Sequence, residues 1–156
     1  MQCVLLRGGL SRLQAQTEQR DANVQNLAKG LEALGGPLRA ARRDSRVTRQ
    51  AYYAMTLVFD PQQSEGFYAG ETYEPVYRNP LLNLYDQTSP IPYRQDVPQD
   101  YRTLRLPGCE QAKNETAVVM SHTQLLAEPE YIAQLLAAVE KVNGDLAGVK
   151  RHFEGQ

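Results

Sequence analysis

The sequence predicts an α+β domain, with a long N-terminal helix and a C-terminal helix packed on a small, mainly antiparallel sheet of three to four strands. Three observations carry this. Leucines recur at helical spacing through the first third. Apolar and polar residues alternate in short runs from Tyr52 onward. An apolar stripe after Pro129 marks a closing helix.

Leu6, Leu10, Leu13, Thr17, Val24, Leu27, Leu31 and Leu34 follow steps of four and three, with one interruption near Arg20. That spacing lines one face of a helix over residues 3–34, with Arg12, Gln16, Gln19, Gln25, Lys29 and Glu32 on the opposite side. Gly35-Gly36-Pro37 stops it, because glycine accepts the left-handed cap and proline cannot continue the helix. At about 1.5 Å per residue the rod reaches about 48 Å, longer than a small domain's own core can cover. Either the helix bends or breaks near Arg20 and packs wholly on its own sheet, or part of the Leu6–Leu34 stripe packs on something beyond the domain.

Residues 39–49 hold Arg39, Arg42, Arg43, Arg46 and Arg49 against Asp44 alone. No aromatic residue interleaves them, so a solvated connector is the reading and nucleic-acid binding ranks last. Tyr53, Met55, Leu57 and Phe59 alternate onto one face of a strand that Asp60-Pro61 ends. Residues 62–100 form a loop rich in tyrosine and proline, since each proline removes a backbone donor that a long helix or central strand needs. Tyrosine offers an apolar ring with a polar tip, which suits either a ligand mouth or a covered sheet edge.

Tyr101–Leu106 alternates as a further strand closed by Pro107-Gly108, residues 109–114 allow a short helix, and Ala117–His122 reads as a strand with Val118 and Met120 on one face. The last helix starts at Pro129 between Glu128 and Glu130, where acidic groups suit the positive end of the dipole. Ile132, Leu135, Leu136, Val139 and Val142 make its buried stripe, Asn143-Gly144 ends it, and residues 145–156 read as a loose tail. The domain is thus expected over 1–144.

A chain of 156 residues is long enough for one core, and its net charge of -1 gives no general drive toward nucleic acid or anionic membrane. No apolar run approaches the roughly 20 residues of a bilayer span, and the apolar start is too short for a secretion signal, so a cytoplasmic protein is expected. Two cysteines and two histidines, scattered along the chain, favour neither a disulfide framework nor a zinc site. The sequence has no nucleophile elbow, phosphate-binding glycine loop or metalloprotease helix, and it nominates no catalytic, cofactor-binding or metal-ligating residue. His122, between Ser121 and Thr123 at a strand end, either faces a cleft or bonds a nearby carbonyl.

Several stretches, taken in order, resemble the C-terminal small domain of DegT/StrS-type aminotransferases, in the branch that acts on cyclitols and 3-amino-5-hydroxybenzoate. They are Leu10-Ser11-Arg12-Leu13 with residues 16–23, then Tyr73-Glu74-Pro75-Val76-Tyr77-Arg78-Asn79-Pro80-Leu81, then Leu106-Pro107-Gly108-Cys109-Glu110, and finally Ser121-His122-Thr123-Gln124-Leu125-Leu126 with the last helix. The likeness runs through nearly the whole chain. It departs from the family in two places: the lysine-bearing large domain has no counterpart here, and about one helix is missing between Pro61 and Tyr73.

The resemblance implies an α+β small domain that in the family packs on a large domain holding pyridoxal phosphate. No cofactor is expected on this chain alone, and none of Lys29, Lys113, Lys141 and Lys150 sits in a context like that of the family's Schiff-base lysine. The expected partner of the Leu6–Leu34 stripe is a second copy or a separate lysine-bearing chain. In the second case Tyr73, Tyr77, Arg78, Asn79 and His122 are the candidate substrate-binding residues, with Arg78 as a carboxylate clamp. A further reading is a binding module for a sugar-like ligand, using the tyrosine-rich loop.

Overall fold

The computed structural model describes residues 2–64, 72–80 and 101–154. Helix α1 (Gln2–Leu34) runs without a break and is followed by strands β1 (Leu38–Ala40) and β2 (Ala54–Phe59). A short helix α2 (Pro107–Gln111), strand β3 (Ala117–Ser121) and helices α3 (Pro129–Asn143) and α4 (Leu146–Glu154) complete the described chain. The sheet order is β1-β2-β3 and both pairings are antiparallel, so the α+β class holds with three strands among the described residues. No described helix is long and apolar enough to cross a membrane.

Alternation along the strands sets the core. Met55 and Leu57 of β2 point into it, flanked by Leu38 and Ala40 on β1 and Val118 and Met120 on β3. Val24, Leu27 and Leu31 of α1 meet them, and Ile132 of α3 with Leu125 of the turn Gln124–Leu126 fills the remaining space. Leu135, Leu136 and Val139 pack at its margin as the spacing predicts, whereas Val142 is exposed. Tyr53 was expected on the inner face of its strand, but it precedes β2 and is 76% exposed. Its neighbour Tyr52 takes a positive φ of 46° and turns inward in its place.

The leucine stripe of α1 divides in two. Val24, Leu27 and Leu31 are buried, while Leu6, Leu10 and Leu13 are exposed at 65%, 68% and 49%. Arg20, where the apolar pattern lapses, marks no break: it is buried, and its Nε donates to the carbonyl of Ala51 at 2.6 Å. Nearby, Asn23 Nδ2 donates to the carbonyls of Leu125 and Ala127, and Asp21 pairs with Arg43 at 2.6 Å. Polar anchors thus replace leucine where the helix crosses loop backbone instead of side chains.

Gly30 lies where α1 crosses α3. A Cβ built there meets Leu136 Cδ1 at 2.3 Å, so any side chain at this helix contact has to displace the end of Leu136. Alanine gains about 1 kcal/mol of helix propensity and displaces only the flexible end of Leu136. Valine is branched at the contact itself. We expect Gly30→Val to destabilise by about 1–3 kcal/mol in urea unfolding and Gly30→Ala to stay close to neutral.

Three expectations are corrected. Residues 101–106 form no strand: they make a turn and a short irregular run outside the sheet, with Leu106 exposed. Their alternation buries no face, and Pro107 opens α2 at its first turn instead of closing a strand. Arg39 and Ala40, the start of the basic connector, belong with Leu38 to strand β1, too short to show a period. The tail described over 145–154 is not loose, because Asp145 Oδ1 accepts the Gly148 N–H at 2.9 Å and starts α4. Of the tyrosine-rich loop, Val76–Arg78 makes one tight turn, and Tyr68, Tyr85 and Tyr93 lie outside the described residues.

Candidate functional site

The five candidate residues separate into two clefts. His122 sits in the turn after β3, and its ring stacks on Tyr53 with centroids 5.5 Å apart and planes 20° apart. Thr72, Tyr73 and Ser121 join this pair around a cleft of about 290 Å³. Tyr73 is 69% exposed and contributes a ring at the rim. The turn is held by short polar bonds: the Thr123 hydroxyl bonds Ser121 Oγ at 3.1 Å, and the Ser121 N–H donates to Gln124 Oε1 at 3.2 Å. Two aromatic faces beside hydroxyl groups suit a ligand with an apolar ring face and polar edges.

Tyr77, Arg78 and Asn79 line the second cleft, of about 330 Å³, together with Tyr101, Arg102 and Arg105. Glu110 organises this side. It accepts a short hydrogen bond from the Tyr77 hydroxyl and an ion pair from Arg78 Nη2 at 3.1 Å, while the Arg78 guanidinium lies 5.7 Å above the Tyr77 ring. The Tyr77 hydroxyl and the Arg78 guanidinium hold the Glu110 carboxyl below its ordinary range. Burial, and then its bond to Glu110, push the Tyr77 hydroxyl above its own. A donor carboxylate reaching Arg78 therefore competes with Glu110, which already occupies that guanidinium. The sequence does not single out Glu110, although Pro107 at a helix start places it in a first turn.

A pH dependence follows. A carboxyl depressed in the folded state stabilises the fold above the ordinary glutamate range, and this contribution disappears as pH falls through the depressed value. Glu110→Gln is expected to lower the urea midpoint at neutral pH and to match the parent chain at acid pH. Parallel curves with a constant gap would show that the charge of Glu110 is not what matters.

The lysines lie elsewhere. Lys29 and Lys141 are exposed, Lys113 pairs with Glu74 at 3.1 Å, Lys150 lies 4.0 Å from Glu154, and none lines either cleft. Among the described residues no group of three or more histidine, cysteine or carboxylate side chains is placed to hold a metal ion.

Comparison with known proteins places the chain among homologues of aminotransferases, matched over nearly all of its own length and only part of theirs. The relatives are named L-glutamine:3-amino-2,3-dideoxy-scyllo-inosose aminotransferase. The one from Micromonospora echinospora is 29% identical over 97% of this chain, and the one from Streptoalloteichus tenebrarius is 27% identical over 96%. A third, from Streptomyces kanamyceticus, is 25% identical over 94%. The chain spans about 40% of the length of the first two relatives. No family model matches the chain. The aminotransferase likeness read from the sequence is borne out as a partial match.

Proposed function

We propose that this chain is the small domain of a DegT/StrS-type, pyridoxal-phosphate-dependent aminotransferase, not catalytic by itself and acting through association. The observation that carries this reading is the mismatch in coverage: 97% of the chain against 40% of the relative. The exposed half of the leucine stripe supports it, since Leu6, Leu10 and Leu13 form an apolar face that a partner would cover. The lysines support it as well. Transamination needs an amine within a pocket that also grips the coenzyme, and no described lysine lines either cleft.

Self-association is the simplest way to cover the stripe. We expect sedimentation at rising concentration to show a dimer, and Leu10→Glu to weaken it at least tenfold. A monomer at every concentration removes self-association and leaves only a different partner. Pyridoxal phosphate added to the chain alone should give no imine absorbance.

The second reading is that another polypeptide segment carrying the lysine completes an enzyme for a keto cyclitol, with glutamine as amino donor. One observation favours it, the shared name of the relatives. Tyr73 and His122 would then line the cyclitol side, and Tyr77, Arg78 and Asn79 would line the second cleft. Co-expression with a lysine-bearing segment of such an enzyme tests it: glutamine-dependent amination that Tyr73→Ala and His122→Ala both reduce is the expected result. Loss of neither rate would remove these residues from the substrate side.

A further inference from the structure

Among the described residues strand β1 is an edge of the sheet, and its side away from β2 opens on a groove of about 530 Å³ against α1. The register fixes which backbone groups line that side. The Asp60 N–H donates to the Pro37 carbonyl and the Ala41 N–H to the Thr56 carbonyl, so Pro37, Arg39 and Ala41 turn their polar groups toward β2. In an antiparallel pair the alternate residues point the other way. The N–H and C=O of Leu38 and Ala40 therefore face away from β2, on the side where no described strand pairs with them.

The groove has an apolar floor and a cationic rim. Val24 and Leu31 lie at its base, while Arg39, Arg42 and Arg43 line it against one carboxylate, Glu32. Arg43 is engaged by Asp21. Arg39 and Arg42 have no hydrogen-bond or ion-pair partner among the described residues, and both are exposed. An edge strand commonly carries charge to discourage pairing. Here the charge is mainly positive, three arginines against Glu32, which discourages a second copy of β1 and favours a partner of opposite charge.

We infer that this edge binds an extended acidic segment of another protein, which adds a strand beside Leu38–Ala40. Backbone bonds to Leu38 and Ala40 give it register, and alternate apolar side chains rest on the floor beside α1. Its acidic residues meet Arg39 and Arg42. The groove is separate from both clefts that hold the candidate substrate residues, so the inference does not depend on the aminotransferase reading.

The test uses the full chain and a fluorescent peptide that alternates valine and glutamate. Two variants separate backbone pairing from charge. Ala40→Pro removes one outward N–H, and proline is tolerated on an edge strand whose N–H faces away from the sheet. Arg39→Glu with Arg42→Glu reverses the rim. We expect saturable binding that weakens at least tenfold in each variant, and no binding of the lysine version of the peptide. Circular dichroism of both variants should match the parent. Equal binding by Ala40→Pro overturns strand addition, because charge alone would then suffice. Equal or tighter binding of a single-stranded oligonucleotide of the same charge overturns the peptide assignment, and so does the absence of saturable binding by the parent chain.

Discussion

Replacing Leu125 by alanine is expected to destabilise the chain by about 2–5 kcal/mol, a large part of the roughly 5–15 kcal/mol that a domain of this size commands. Leu125 is the most enclosed large side chain among the described residues, with no measurable exposure, yet it sits in a three-residue turn. It reaches the core that α1, the sheet and α3 share, so removing its branched end leaves a cavity bordered by three elements that cannot all relax at once. The urea midpoint should fall by more than about 1 M. Leu10→Ala, at a position 68% exposed, should cost less than about 0.5 kcal/mol at high dilution. Its cost should grow with protein concentration if the exposed stripe closes a dimer. A Leu125→Ala loss no greater than that of diluted Leu10→Ala would remove the turn from the core.

This contrast shows what the sequence could and could not convey. Periodicity located α1, β2, β3 and α3, because each turns a regular face, in α1 only its second half, toward the same core and so repeats its apolar residues at the period of its backbone. Leu125 has no such repeat around it; three-dimensional closure alone reveals it. For the same reason β1 was hidden in an arginine-rich stretch: three residues cannot display alternation, and only their pairing with Leu57, Val58 and Phe59 defines them as a strand. Residues 101–106 show the converse, an alternating pattern that joins no strand of the sheet. Alternation is a necessary mark of a half-buried strand and not a sufficient one. The candidate site was legible residue by residue but not as an arrangement. Tyr73 and His122 share a cleft, Tyr77, Arg78 and Asn79 share another, and Glu110, which holds the second together, carries no motif of its own.

The interruption of the leucine stripe leads to the second large effect. Asn23→Ala is expected to cost about 1–3 kcal/mol, although it deletes only one polar side chain. Asn23 is 4% exposed, and its Nδ2 donates at 2.9 Å and 2.8 Å to the carbonyls of Leu125 and Ala127, the backbone that carries Leu125 into the core. Alanine leaves the buried Leu125 carbonyl without its donor, where water cannot readily replace the lost bond, while the Ala127 carbonyl keeps the bond from Gln19. Gln19, one helical turn earlier, makes a similar pair of bonds to Leu126 and Ala127 but is only half-buried, so water can substitute there. Gln19→Ala should therefore cost under about 1 kcal/mol. Because Asn23 and Leu125 hold the same turn, the double variant Asn23→Ala with Leu125→Ala should lose less than the sum of the two single losses, as coupled neighbours do. Strict additivity in a double-mutant cycle would mean that the buried amide and the buried leucine act on different parts of the fold.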